Sequence, residues 1–144
     1  MDHVVYLDSN AEELDLLLSK NKTMIIRGAA GRKVPYGRVN PDDTLYFINN
    51  NGEGLVHAMA KVKGVFNSEK LTKEESAHLI DRHQEKLLLT KKQYDRWAGK
   101  RYLVLIEIFE LKRIKPFRID RSDYGNMDDW LPVEQVEKVR IEKL

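Results

Sequence analysis

Six basic side chains and no acidic one lie between Lys20 and Pro41: Lys20, Lys22, Arg27, Arg32, Lys33 and Arg38. Arginine holds a phosphate through two parallel hydrogen bonds, and lysine supplies a mobile point charge. Gly28, Gly31 and Gly37 stand among them, where a missing Cβ lets backbone approach a ligand closely. The chemistry offered is capture of an anion, with Lys33 and Arg38 as foremost contacts and Arg32 beside them. Tyr36 and Trp97 each neighbour basic residues, and a base stacked on either ring would gain about 1–3 kcal/mol. For Trp97, packing of a helix residue on the core is the favoured reading. His57 and Lys61 fall on the polar face of an expected strand and would line the same cleft.

Other chemistries fit less well. The chain has no cysteine, which excludes disulfides, zinc–thiolate sites and thiol nucleophiles. His3, His57, His78 and His83 form no grouping with metal-ligand spacing, so neither metal nor cofactor is expected. The loop Gly28 to Val34 departs from a P-loop. Its glycines are wrongly spaced, Lys33 follows Arg32 rather than glycine, and no Ser or Thr comes next, which argues against nucleoside triphosphate hydrolysis. Glu107 interrupts the apolar run Leu103 to Phe109, and a carboxylate on a central strand needs a partner or a proton. A Glu107 on a solvent-facing edge or paired with a core arginine is favoured over a general base acting with Lys33.

These residues need a scaffold, and the patterning supplies one. His3 to Leu7 reads as a strand, followed by a helix capped by Ser9 or Asn10 and running through Leu18. Thr23 to Arg27 and Thr44 to Asn49 are further strands, and Asn50 to Gly54 is a hairpin connection. Leu55 to Val65 alternates, with Val56, Ala58, Ala60 and Val62 on one face. Thr72 with Glu75 forms a capping box for a helix to about Leu88, and Thr90 caps a short helix ending near Gly99. Arg101 to Ile114 is apolar on both faces, which predicts a central strand limited by Pro116. Pro132 opens an expected helix with Val133, Val136 and Val139 at helical spacing, the alternative being a strand over Lys138 to Ile141. Trp130, in an acidic segment, is expected as a lid or plug at a barrel end.

The 144 residues suggest a single domain over 1–144. Strands of mixed length with inserted helices give an α+β class, a small mixed curled β-sheet or β-barrel. The net charge of +2 is unevenly spread. Residues 82–118 hold eleven basic and four acidic side chains, whereas 120–144 hold four and seven. Folding could merge the two basic stretches, with Lys91, Lys92, Arg96, Lys100 and Arg101 extending a groove that follows phosphates. No signal peptide or membrane-spanning run is seen, so a cytoplasmic protein without membrane contact is expected. Oligomeric state is left open.

The segment Gly31-Arg32-Lys33-Val34-Pro35-Tyr36-Gly37-Arg38 resembles the motif Gly-x-Lys-x-x-Glu-x-Arg of the ASCH domain, in the PUA-like superfamily. Gly31, Lys33 and Arg38 match, and Tyr36 stands where the family usually has Glu. Pro41 to Phe47 resembles the family's turn and strand, and Leu55 to Val62 its next strand, for which the related EVE domains are an equally fair comparison. The resemblance spans most of residues 22–115. It implies a β-barrel-like fold with a cleft that binds nucleic acid, often RNA. Some relatives instead hydrolyse an amide of acetylated cytidine nucleosides. They also need a threonine in the lysine motif, and Tyr36 stands three positions after Lys33.

The leading expectation is an RNA-binding domain reading a single unstacked or modified base. Its cleft would lie between the Gly28–Arg38 loop and the strands Leu55–Lys63 and Arg101–Phe109, with Arg32, Lys33, Tyr36, Arg38, His57, Lys61 and Trp97 as contacts. One alternative is an amidohydrolase of acylated nucleosides using Lys33 and Glu107. Enzymatic activity is the less favoured reading. Another alternative is a protein-interaction module.

Overall fold

Alternating burial along Leu55–Asn67 and apolar residues on both sides of Tyr102–Ile119 dictate the architecture of this computed structural model, which describes residues 1–141. The strands are β1 (Asp2–Leu7), β2 (Met24–Ala29), β3 (Thr44–Asn49), β4 (Leu55–Asn67), β5 (Tyr102–Ile119), β6 (Trp130–Glu134) and β7 (Arg140–Ile141). The helices are α1 (Glu13–Leu18), α2 (Lys73–Leu87) and α3 (Lys91–Trp97). The strands form one mixed sheet in the order β2-β5-β4-β3-β1-β6, with β7 added to β5. Only β1 and β3 run parallel, and the sheet curls into an α+β half-barrel.

β5 is central because both its faces are covered. Val104, Ile106 and Ile108 enter the barrel core with Val5, Phe47, Ala58, Ala60 and Val62. Leu103 and Leu105 face the other way, against Leu79, Ile80, Leu87 and Trp97 of the helical layer. Each such leucine or isoleucine contributes about 1.5–3 kcal/mol on burial. A third apolar cluster joins Val4, Ile48, Val56 and Phe117 to Leu131, Val133 and Val136 of the C-terminal segment. The expected capping box at Thr72 forms, and the expected cap Thr90 is part of a second one. Thr72 Oγ1 accepts from Glu75 N at 3.1 Å and Thr90 Oγ1 from Gln93 N at 3.2 Å.

Three local expectations need correction. The segment opened by Pro132 is a strand paired with β1, followed by a 3-10 turn over Val136–Lys138. Burial of Trp130, Leu131 and Val133 against the sheet outweighs the helical spacing of the valines, and an edge strand tolerates the missing proline N–H. Pro116 does not end β5 but sits where β5 runs four residues against two of β4, between Ala58↔Arg113 and Val56↔Phe117. The first helix begins later than expected, after Glu12 at φ 54°, and Asp8 rather than Ser9 or Asn10 accepts the Ala11 N–H.

The open seam of the half-barrel is held by Arg27. From edge strand β2 its Nη2 donates to Tyr6 O of β1 at 2.7 Å, and its Nη1 to Ile26 O at 2.8 Å. Its Nε lies 3.3 Å from Asp129 Oδ2, just ahead of β6.

Candidate functional site

The loop between β2 and β3 is fastened from beneath. The Tyr36 hydroxyl donates to Ser68 O, and Gly37 N donates to Asn67 Oδ1 at 2.9 Å. Gly37 is at φ 69°, a conformation in which a side chain would be strained. Tyr36 N to Lys33 O and Arg38 N to Pro35 O, each 2.9 Å, fold the loop on itself, and Pro35 is buried. The Tyr36 ring meets Tyr102 edge-on at 5.7 Å, and the Arg32 guanidinium lies 5.6 Å from both rings. Tyr36 and Arg32 therefore brace the loop against β5.

Lys33 and Arg38 project outward. Neither side chain has a hydrogen bond or ion pair among the described residues. With Val34 they form one wall of a cavity of about 410 Å³. The opposite wall is Tyr124, Asp128, Asp129, Trp130 and Pro132. Beneath the loop, against Arg27 and Tyr102, only about 10 Å³ is open, too little for more than a water molecule. Asp129 is flanked by Arg27 at 3.3 Å and Arg96 at 3.7 Å, so its charge is spent on two guanidiniums. Asp128 has no side-chain partner of this kind among the described residues, and it lines the same cavity as the two cations.

Trp130 is fixed by a buried chain of hydrogen bonds. Its Nε1–H donates to His3 Nδ1 at 3.0 Å, so the His3 proton resides on Nε2, which donates to Asp43 Oδ2 at 2.9 Å. Asp43 also accepts from Asn40 N at 2.9 Å, and the N-terminal ammonium is 3.7 Å away. Burial lowers the His3 pKa, outweighing the attraction of Asp43. The indole is thus both core and cavity wall.

The structure gathers some of the expected residues and disperses others. Of the six cations between Lys20 and Pro41, Lys22 and Arg27 are buried and engaged, and they do not present charge to a ligand. Trp97 packs in the helical layer, with the Arg96 guanidinium 4.3 Å from its ring. Lys61 and His57 lie six and ten residues back along β4 from Asn67, roughly 20 and 33 Å away. His57 pairs with Glu53 at 3.2 Å. Neither lines the cavity, and the Leu55–Lys63 segment is not its wall. Glu107 is opposite Met24, whereas the Lys33 loop leaves the far end of the ladder, where Ala29 is opposite Tyr102. The intervening five residues span about 17 Å, and Glu107 accepts from Lys86 Nζ at 2.6 Å. Lys33 and Glu107 do not converge.

The wall from Tyr124 to Pro132 was missed as part of the site. Its signal was an acidic segment holding a tryptophan, opposite in charge to the basic loop. No group of three or more His, Asp or Glu among the described residues is placed to hold a metal ion. Nor is any helix among them long and apolar enough to cross a membrane.

No protein-family model matches the chain, and no curated protein matches it. Solved structures do. The ASCH protein of Zymomonas mobilis is 15% identical, with a TM-score of 0.69 over 95% of this chain and 90% of that one. Two mutant forms of it superpose with a TM-score of 0.70, again at 15% identity over 95% of this chain, covering 93% and 91% of theirs. The fold is that of an ASCH domain. In this ASCH-type fold, the segment resembling the lysine motif is the loop that forms one wall of the cavity, and the Tyr36 hydroxyl in it faces Ser68 O rather than the cavity.

Proposed function

We propose that the chain binds RNA, taking one unstacked base into the cavity while Lys33 and Arg38 engage flanking phosphates. The observation that carries this reading is the pair of unpartnered cations at the rim of a 410 Å³ cavity, a size within the usual range for small-ligand sites. A fold built to leave two cations unpaired beside a concave, partly aromatic wall suits an anion attached to a flat ring. Asp128 supports the base half of the reading, since a carboxylate accepts hydrogen bonds from an exocyclic amino group. The resemblance of Gly31, Lys33 and Arg38 to the ASCH motif points the same way. Phosphate contacts would give affinity, and the cavity would select the base.

No observation favours the amidohydrolase reading, since its two residues are held apart by the β2–β5 ladder and Glu107 is paired with Lys86. The test of RNA binding is anisotropy of labelled single-stranded RNA, duplex RNA and duplex DNA across a salt series. The Lys33→Ala/Arg38→Ala variant is expected to bind RNA about tenfold or more weakly, with a shallower salt dependence. Unchanged affinity in that variant, with its circular dichroism intact, would remove the site.

A further inference from the structure

β5 continues well past the barrel core. From Lys112 to Arg118 it reads Lys-Arg-Ile-Lys-Pro-Phe-Arg, four cations and no acid. All four basic residues are exposed. In a regular strand Lys115 and Arg118, three apart, would point to opposite faces. Here they line one cavity of about 370 Å³ with Leu55, Pro116, Phe117 and Arg140. The two extra β5 residues between Arg113 and Phe117 cause this, because a bulge re-aims the side chains beside it. A second irregularity, three β5 residues against two of β4, lies between Lys61↔Phe109 and Met59↔Lys112. Met59 and Lys61 are two apart on β4, so Lys61 and Lys112 share the outer face of the sheet.

The local acids do not neutralise this arm. Among the described residues, Glu53 is taken by His57 at 3.2 Å, Glu107 by Lys86 at 2.6 Å and Asp120 by the Ser122 N–H at 2.9 Å, and Glu110, on the bulge at φ 52°, makes no ion pair with the arm. Lys112, Arg113 and Lys115 have no hydrogen-bond or ion-pair partner among the described residues. Like charges this close repel within a Debye length of about 10 Å, a cost that an anion would relieve. Within the arm no apolar side chain protrudes as a membrane-inserting wedge, since Phe117 is buried in the third cluster and Ile114 packs beside it, and the exposed Ile141 beside the cavity is a single side chain. A competing explanation is edge protection. Between Phe109 and Phe117 no strand among the described residues pairs with β5 on the side away from β4, and cations discourage edge-to-edge pairing.

The arm pairs with Leu55–Lys61, whereas the cleft loop hangs from Asn67, so the two lie about 20–40 Å apart along β4. We propose that the β5 arm, Lys112 to Arg118 with Lys61, is a second phosphate-contacting surface that grips an RNA backbone beyond the base held in the cleft. This rests on the RNA-binding reading above.

The test compares wild type, the triple variant Lys112→Gln/Arg113→Gln/Lys115→Gln and the cleft variant Lys33→Ala/Arg38→Ala. Each is titrated with a stem-loop RNA and with a single-stranded RNA too short to reach both surfaces. The triple substitution touches only exposed, unpartnered side chains, and circular dichroism checks that the fold is kept. Stem-loop affinity is expected to fall about tenfold, with the logarithmic salt slope reduced by about two to three, while the short RNA binds as before. Wild-type affinity and slope for the stem-loop would overturn the proposal, and self-association of that variant in sedimentation would assign the cations to edge protection. If the cleft variant binds normally and the arm variant does not, the arm stands and the cleft reading falls. If wild type binds neither RNA at low salt, both fall. Binding instead to phosphatidylserine vesicles, lost in the triple variant, would overturn the proposal in favour of a lipid surface.

Discussion

Lys22 shows how little a residue's type reveals about its use. It counts toward the basic stretch, yet it is 1% exposed, with Nζ donating to Leu87 O and lying 3.3 Å from Glu13 Oε2. Burial lowers its pKa, against the pull of Glu13. Removing one member strands the other in the core, so Lys22→Met or Glu13→Gln alone is expected to cost about 3–5 kcal/mol. The double substitution is expected to cost clearly less than the sum in urea denaturation. His3 contributes a pH dependence near neutrality. Its folded pKa lies below the ordinary 6.5 because burial outweighs Asp43, so on acidification the unfolded chain takes up a proton before the folded one does. The His3 contribution is fully present above 6.5 and is lost as pH falls toward the folded value, at up to about 1.4 kcal/mol per pH unit. Urea melts between neutral and mildly acidic pH are expected to show a steeper loss in wild type than in His3→Gln. Equal slopes would mean that His3 does not titrate differently on folding.

At the level of elements, most of the strands, though not their order in the sheet, were legible because burial imposes period two. Leu55 to Val62 alternates, and Leu103 to Ile108 is apolar except at Glu107, so an alternating strand and a central one could be read directly. The caps were equally readable, because Thr72 with Glu75 and Thr90 at the head of its helix satisfy backbone donors locally, whereas the answering Gln93 side chain shows only in the structure. What could not be read depends on distant partners. The valines after Pro132 fit a helix until β1 offers Val4 and Val5 a neighbour, and Pro116 looks like a stop until β4 leaves room for a bulge. The cavity was half legible. Lys33 and Arg38 stood out by charge, but the wall at Tyr124 to Pro132 is about ninety residues away in sequence and arrives only through the β1–β6 pairing. Arg27 belongs to this scale too, since it ties β2 to β1. Arg27→Lys keeps the charge but loses the forked geometry, and it is expected to lower stability by about 2–3 kcal/mol in urea denaturation. A loss below the error of the melt would mean that the seam is held by packing alone.

For the whole molecule, β5 contributes to all three apolar clusters: Ile106 to the barrel core, Leu105 to the helical layer and Phe117 to the C-terminal cluster. No layer can detach without exposing a face of that strand. Thermal unfolding is therefore expected to be one transition, with far-ultraviolet and near-ultraviolet circular dichroism superposing. Separated midpoints would show that the helical layer or the C-terminal segment melts independently. Charge is organised at this scale as well. A chain of net charge +2 carries two of its groups of unpartnered cations at distant places, one beside a cavity and one along a strand, so salt should affect association far more than folding.

The chain has two tryptophans, and the Arg27 guanidinium lies 6.0 Å from the Trp97 ring and 5.6 Å from that of Trp130. Trp130 also walls the cavity with its N–H pinned to His3. Indole emission responds to nearby charge and to water at the ring, so this placement turns the protein into its own optical gauge. One chromophore walls the cavity proposed for the ligand, and the other sits behind the shared arginine as an internal reference. Replacing either with phenylalanine would separate the two signals, and occupancy of the cleft could then be followed in real time without a label on protein or ligand.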